Sequence, residues 1–155
     1  MKEKHLRLRI KHTILLASMS PCPRASFGCV IVDPELNVTL SEGWNGAPRG
    51  DSKLCGGVYC ERERQQIKSG EQCEVGCYHA EFNAVANASR IGARLEGAWA
   101  FVNGEPCLMC AKALHHAGVA CVVIIEGGYK GGSKGTEHLK RQGVKVLKYN
   151  DTLMC

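Results

Sequence analysis

The sequence predicts an α/β fold in one domain. A length of 155 residues, of which 45 % are hydrophobic, is enough for one core. Short apolar segments alternate with helical segments through the second half of the chain, which is typical of parallel strand pairing. The first half adds a helix followed by a β-hairpin. These observations favour a single domain that spans residues 1–155.

The first half predicts three elements. Residues 4–19 have helical spacing, and prolines just beyond them end the helix. The apolar stripe of this helix is expected to contain Leu6, Ile10, Ile14 and Ala17. Residues 27–32 are a short apolar run that indicates a buried strand. Residues 38–43 return as the second strand of a hairpin.

A long Gly- and Cys-rich segment separates the hairpin from the second half. Residues 45–77 are predicted to be a loop with one short helix, and loops of this length are uncommon unless they are functional or held by metal. The helix that follows, residues 79–91, is predicted to turn Phe82, Val85 and Ala86 inward. The remaining elements are predicted as strand 98–102, helix 107–117, strand 120–125, loop 127–132, helix 137–142 and strand 144–147.

The positive charge is concentrated at one end. The chain carries a net charge of +5, and residues 1–12 hold five of the basic residues beside one acid, Glu3. This cluster is either a solvated helix face or a basic surface that attracts phosphorylated substrates. Stable binding to nucleic acid needs a wider basic surface, so we expect no stable nucleic-acid partner.

The location is predicted from what the sequence lacks. No run of about 18 apolar residues is present and no leader pattern is visible, so we expect a cytoplasmic protein with no membrane contact. Ten cysteines in such a protein point to metal binding for at least some of them, rather than to disulfides.

Two short motifs carry the chemistry, and each opens a predicted helix. The first is His79-Ala80-Glu81, and the second is Pro106-Cys107-Leu108-Met109-Cys110. Cys107 and Cys110 share a helix face, and a helix N-terminus stabilises thiolates. One histidine and two cysteines give three ligands, which is typical of a catalytic zinc with an open fourth position. Both helices must then point their N-termini at one metal.

Glu81 is predicted to lie beside the metal without binding it. Zinc activates a water molecule near neutral pH, and Glu81 can carry the proton of that water to a ring nitrogen and then to a leaving amine. A His-x-Glu followed by Pro-Cys-x-x-Cys is the zinc-deaminase pattern. The alternative is a structural zinc with a fourth ligand from elsewhere, and such a site gains nothing from an unliganded acid.

The chain resembles deoxycytidylate deaminases, within the cytidine deaminase-like superfamily, from about Pro23 to Val146. The matching segments are residues 27–32, 43–50 (with Trp44 where the family has Tyr), 69–71 and 79–84. The resemblance implies a three-layer α/β/α sandwich around a five-stranded mixed sheet. It also implies zinc on His79, Cys107 and Cys110, Glu81 as proton shuttle, and hydrolysis of deoxycytidylate (dCMP) to deoxyuridylate (dUMP) and ammonia.

The resemblance implies further site residues and partners. Asn45 would hold the nucleotide sugar, Ala80 would contact the substrate, and Arg24 is a candidate for the phosphate. Tyr129 either lines the base pocket or is an ordinary surface tyrosine. Many relatives are homo-oligomers, hexamers or smaller, that dCTP activates and dTTP inhibits with Mg²⁺. Their effector loop corresponds here to Asn45, Gly46, Pro48 and Gly50.

Glu105 departs from the family pattern, and this departure leaves the identity of the substrate open. An acid before Pro106 is closer to tRNA adenosine deaminases and guanine deaminases. Glu105 either contacts a base edge, which favours dCTP, a modified cytosine nucleotide or a purine such as guanine or adenosine, or it caps the following helix. A polynucleotide-editing deaminase ranks lower, because only 6 % of residues are aromatic. A noncatalytic zinc module ranks lower because of Glu81.

Five further cysteines lie in or beside the Gly-rich segment. They are Cys22, Cys55, Cys60, Cys73 and Cys77. Some relatives carry a second, structural zinc in this region, so the resemblance makes these residues candidate ligands. The alternative is that they are free thiols, some of them buried as small apolar groups.

Overall fold

A five-stranded mixed sheet forms the centre of the computed structural model of the chain. The structure describes residues 1–47, 50–51, 59–68, 71, 75–126 and 133–150. The strands lie in the order β2-β1-β3-β4-β5. They are β1 (Gly28–Val32), β2 (Thr39–Trp44), β3 (Trp99–Val102), β4 (Cys121–Glu126) and β5 (Lys145–Asn150). β1 is antiparallel to β2 and β3, whereas β3, β4 and β5 are parallel to one another.

Helices cover both faces of this sheet. They are α1 (Glu3–Ala17), α2 (Glu61–Arg64), α3 (Ala80–Ile91), α4 (Leu108–His116) and α5 (Ser133–Arg141). Along β1, Val30 and Val32 belong to the core shared with α1, whereas Cys29 and Ile31 belong to the core shared with α3, α4 and α5. This alternation is the period of two that a strand imposes. The α/β/α sandwich with a mixed sheet is therefore confirmed.

The predicted apolar stripe of α1 is partly wrong. Ile14 is 38 % exposed, whereas Arg9 and Thr13 are buried beside Ile10. Arg9 can be buried because its guanidinium donates to the Asn37 main-chain carbonyl and, over 2.8 Å, to Thr39 Oγ1. A charged group is tolerated inside when its hydrogen bonds are satisfied, and hydrophobic periodicity does not reveal that pairing.

The predicted inner face of α3 is also partly wrong, although Val85 packs against the core as predicted. Phe82 is 45 % exposed and Ala86 is exposed, and the buried positions include Ala84 and Ala88. The cause is close packing against β2: a Cβ added at Gly43 would lie 2.5 Å from the Ala84 nitrogen. Only small residues fit where a helix approaches a strand this closely.

The last helix begins four residues earlier than predicted. Its predicted start is residue 137, whereas α5 begins at Ser133 and contains Gly135. The predicted loop at 127–132 lies outside the described residues. Within the part of the chain that the structure describes, no helix combines the length and the hydropathy needed to cross a membrane.

Candidate metal centre

Both chemical motifs lie at helix N-termini, as the sequence predicts. His79 is the N-cap residue of α3, and Cys107 is the N-cap residue of α4. The Cys107 sulfur accepts a hydrogen bond from the Cys110 main-chain N–H at 3.5 Å. Each helix therefore directs its first N–H groups, and the positive end of its dipole, at the same place.

Three side chains converge between these helix ends. His79 Nδ1 lies 3.5 Å from Cys107 Sγ and 3.5 Å from Cys110 Sγ. The three ligand atoms all lie within 4.8 Å of one another. Zinc–nitrogen and zinc–sulfur bonds at a tetrahedral angle place nitrogen and sulfur about 3.5 Å apart. The donor set and the spacing both fit zinc, and three ligands leave one position for another group.

The cluster favours a thiolate. The hydrogen bond from the Cys110 side chain, with help from His79, lowers the pKa of Cys107 to about 4. The same contact with Cys107 raises the pKa of Cys110, as does its burial. The hydrogen bond to Cys107 raises the pKa of His79. Cys107 is therefore negatively charged at neutral pH, and the thiolate is the form that binds metal.

Glu81 is the buried acid of the site. It is the second residue of α3 and is 8 % exposed. Burial raises its pKa, although its own main-chain N–H and the nearby His79 act in the opposite direction. A carboxylate with a raised pKa accepts a proton more readily than an ordinary one, which suits an acid–base catalyst.

Two residues that the motifs do not indicate attach α3 to β2. Asn83 Nδ2 donates to the Trp44 carbonyl at 2.7 Å, and Asn87 Nδ2 donates to the Glu42 carbonyl at 2.8 Å. Together with the close approach at Gly43, these bonds set where α3 begins, and hence where His79 and Glu81 lie. Their four-residue spacing on one helix face was the available signal.

Asn45 is buried at the edge of the site, and its side chain is bonded within the chain. Asn45 Oδ1 accepts from the Phe27 N–H at 2.7 Å, and Nδ2 donates to the Ala25 carbonyl at 3.0 Å. Gly46 and Tyr78 exchange main-chain hydrogen bonds, so this loop adjoins His79. The predicted sugar contact of Asn45 stays a prediction.

Arg24 contacts the short helix α2. Its Nε lies 3.4 Å from Glu63 Oε1, and its Nη1 lies 3.9 Å from Cys60 Sγ. The Arg24 side chain is 24 % exposed, whereas that of Glu63 is 60 % exposed. The phosphate contact predicted for Arg24 stays a prediction.

Glu105 does not cap α4. Cys107 occupies the N-cap position, so the capping interpretation is wrong. Glu105 Oε1 instead lies 2.7 Å from Lys148 Nζ on β5, and the Glu105 side chain is 18 % exposed. Lys148 could not be identified from the sequence, because nothing in the local pattern links positions that are 43 residues apart.

The structure describes some of the remaining predicted site residues. Ala80, the first residue of α3, is buried. Gly50 has a positive φ of 85°, which suits a turn. Cys60 is buried and Cys22 and Cys77 are partly exposed, and among the described residues only the His79 group has the geometry of a metal cluster. Outside the described residues lie Pro48, Cys55, Cys73 and Tyr129.

Comparison with known families gives one family match. A model described as "Cytidine and deoxycytidylate deaminase zinc-binding region" matches residues 2–126. This span contains His79, Glu81, Cys107 and Cys110, and it ends with β4.

Curated relatives and a solved structure extend the comparison. ComE operon protein 2 of Bacillus subtilis is 33 % identical over 85 % of this chain and 64 % of its own length. Deoxycytidylate deaminase of Schizosaccharomyces pombe is 30 % identical over 87 % of this chain and 41 % of its own length. The chain thus spans less than two thirds of either relative. The dCMP deaminase of cyanophage S-TIM5, solved in complex with dCMP and dUMP, is 25 % identical with a TM-score of 0.76, over 96 % of this chain and 99 % of that one.

Proposed function

The chain belongs to the cytidine and deoxycytidylate deaminase family, and from that premise we propose that it is a zinc-dependent hydrolase that converts deoxycytidylate to deoxyuridylate and ammonia. The observation that carries this proposal is the three-ligand cluster of His79, Cys107 and Cys110 with the buried acid Glu81 two residues from His79. The likeness to a cyanophage dCMP deaminase over nearly the whole of both chains supports the choice of substrate.

His79, Cys107 and Cys110 would hold the zinc. When bound, zinc would act as a Lewis acid that lowers the pKa of a water molecule at the open position to about 7. The thiolate of Cys107 matches this requirement, because its pKa of about 4 leaves it unprotonated at neutral pH. The N-terminal ends of α3 and α4 add main-chain dipoles that favour the two sulfur charges.

Glu81 would move the proton. Its carboxylate takes a proton from the attacking water and delivers it to N3 of the cytosine ring as the C4–O bond forms. The second proton then goes through Glu81 to the exocyclic amine, the C4–N4 bond breaks, and ammonia leaves. Burial of Glu81 supports this role, because it raises the carboxyl pKa toward the range in which the group both accepts and releases a proton.

The substrate would be held around this centre. Ala80 starts α3, where a main-chain N–H has no partner inside the helix, so a base carbonyl can accept from it. Arg24 is the phosphate candidate and Asn45 the sugar candidate, with Tyr129 the candidate for the base pocket. The exposed basic residues of α1 would raise the local concentration of a phosphorylated substrate.

A deaminase of another nucleotide or base is the alternative. Glu105 favoured this alternative in the sequence, since its carboxylate could contact a purine edge. The contact with Lys148 at 2.7 Å weakens it, because that contact already engages one carboxylate oxygen.

A comparison of substrates tests whether deoxycytidylate is the substrate. Ammonia release would be measured with purified zinc-loaded protein on deoxycytidylate, dCTP, cytidine, adenosine and guanine. We expect turnover with deoxycytidylate alone. Turnover of a purine without turnover of deoxycytidylate would contradict the substrate proposed and return Glu105 to the base pocket.

Nucleotide effectors would control the activity of the enzyme. We propose that dCTP activates and dTTP inhibits, each with Mg²⁺, through the loop of Asn45, Gly46, Pro48 and Gly50, in a homo-oligomer that is a hexamer or smaller. The main-chain pairing of Gly46 with Tyr78 supports this, because it joins the loop to the residue before the ligand His79.

The cysteines outside the His79 cluster are candidate ligands for a second metal ion. We propose that Cys22, Cys60 and Cys77, with Cys55 and Cys73, supply ligands to a second, structural zinc. Two contacts support this: Cys60 Sγ lies 3.9 Å from Arg24 Nη1, and Cys77 Sγ lies 4.0 Å from Asn45 Nδ2. We also propose that the protein acts in the cytoplasm, where reducing conditions would keep thiol ligands such as Cys107 and Cys110 available for metal.

A further inference from the structure

The turn that carries Cys107 is held by the last two elements of the chain. Glu105, Pro106 and Cys107 join β3 to α4. Main-chain atoms of Pro106 and Cys107 pack against α5, and the Glu105 side chain contacts β5. Both elements lie beyond residue 126, where the match to the family model ends.

Gly135 makes the closer of the two contacts. A Cβ added there would overlap the Pro106 carbonyl oxygen and lie 2.9 Å from both the carbonyl carbon and the carbonyl oxygen of Cys107. These are main-chain atoms, which cannot swing aside as a flexible side chain can. The absence of a side chain at Gly135 therefore allows α5 to lie directly against the residue that supplies a metal ligand.

Lys148 makes the second contact. Its register on β5, opposite Ile124 of β4, is set by the sheet. Lys148 Nζ reaches Glu105 Oε1 at 2.7 Å, and the Glu105 side chain is 18 % exposed while that of Lys148 is 47 % exposed. The turn is therefore attached to β5 one residue before Pro106 and packed against α5 at Pro106 and Cys107.

We propose that Gly135 and Lys148 form a clamp that sets the position of Cys107 for metal binding. Cys107 Sγ must stay about 3.5 Å from His79 Nδ1 to share a tetrahedral metal, and the two residues lie on different helices. Contacts outside the ligand set commonly change metal affinity by about 10- to 100-fold. The inference rests on the metal site proposed above, and it assigns positioning roles to residues that bind no metal themselves.

Gly135→Ala tests the tighter contact. Alanine normally stabilises a helix more than glycine does, so this substitution should not weaken α5 itself. A loss of metal affinity would therefore report the contact with Pro106 and Cys107. Full-length protein freed of metal would be titrated with Co²⁺, whose visible and thiolate charge-transfer absorption reports the ligand geometry. We expect Co²⁺ to bind about 10- to 100-fold more weakly, with shifted bands. Lys134→Ala, at an exposed neighbour on α5, is the matched control and should bind like wild type.

A charge exchange tests the second contact without adding bulk at Gly135. Lys148→Glu and Glu105→Lys should each weaken Co²⁺ binding by about two- to five-fold, as expected for a partly exposed ion pair. The double variant should restore both affinity and spectrum, which a merely structural loss would not do. Lys145→Glu, at an exposed lysine on the same strand, is the control.

The outcomes separate the clamp from the metal site. Folded Gly135→Ala with wild-type Co²⁺ affinity and spectrum, or a charge exchange that restores nothing, would overturn the clamp. Wild-type protein that binds no Co²⁺ would overturn the metal site itself. If Gly135→Ala does not fold, the charge-exchange series decides the question alone.

Discussion

The metal cluster and the loop framework beside it use polar side chains in different ways. The framework is defined here as residues 20–27, 43–47 and 59–64. In the cluster, His79 Nδ1 lies 3.5 Å from Cys107 Sγ. Both are N-cap residues, so each is positioned by the helix that follows it. In the framework, Asn45 and Arg24 bond to main chain or to neighbouring side chains.

This difference separates two kinds of functional residue. A ligand at a helix terminus is positioned by the helix, so its side chain remains available for metal. A polar residue in a loop helps to hold the loop in place, because buried main-chain groups there need partners. Changes in the cluster should therefore affect metal and turnover, whereas changes in the framework should affect stability first.

Removal of a cluster ligand should have the largest effect. His79→Ala should lose the bound zinc and lower turnover by about 10³-fold or more, because the Lewis acid is lost. The fold should remain, since His79 is exposed. Zinc per chain and ammonia release would be measured together. His116→Ala, at an exposed histidine of α4, should keep about one zinc per chain. Full zinc content in His79→Ala would contradict the assigned cluster.

An intermediate effect is expected for the buried amide of the framework. Asn45→Ala leaves the Phe27 N–H and the Ala25 carbonyl without their partner. The free energy of unfolding should fall by about 2–3 kcal/mol, measured by urea denaturation. Asn87→Ala, which removes one bond to the Glu42 carbonyl, should cost about 1 kcal/mol.

The same variant also addresses the sugar contact predicted for Asn45. If Asn45→Ala were as stable as wild type and raised only the KM for deoxycytidylate, the amide would serve the substrate rather than the framework. That result would remove the contrast between the two regions.

The smallest effect is expected at Arg24. A guanidinium that binds the substrate phosphate should lower KM by about tenfold, which is near the lower end of the about 1.5–3 kcal/mol that hydrogen bonds to charged groups contribute. Arg24→Ala should raise the KM for deoxycytidylate and leave that for deoxycytidine unchanged. Glu63→Gln is the control, because it removes the charge beside Arg24 and should change stability by less than about 1 kcal/mol. Equal changes for both substrates would assign Arg24 to the framework alone.

The order and type of the described elements could be predicted because they depend on local patterns. Alternating apolar segments and helix-terminating residues predicted all five strands and helices α1, α3 and α4 to within a few residues. The inward faces of α1 and α3 could be predicted only in part, because Arg9 is satisfied by the distant Asn37 and Thr39, and because Gly43 brings β2 close to Ala84. These are tertiary effects that override periodicity.

The candidate site shows the same division. The spacing of His79, Glu81, Cys107 and Cys110 was sufficient to predict the metal cluster, since each pair opens a helix. Neither interpretation of Glu105 included its contact with Lys148, because Lys148 is distant in sequence. The close packing of Gly135 against Pro106 and Cys107 could not be predicted, because it joins elements that are distant in sequence.

The most direct test of the central claim is ammonia release from deoxycytidylate by zinc-loaded wild type and Glu81→Gln, with zinc content measured on the same samples. Glutamine keeps the shape of the side chain but cannot carry a proton. We expect about one zinc per chain in both proteins and a loss of turnover of about 10²- to 10⁴-fold in the variant. Undiminished turnover by Glu81→Gln would contradict the assignment of Glu81 as the proton carrier of the site.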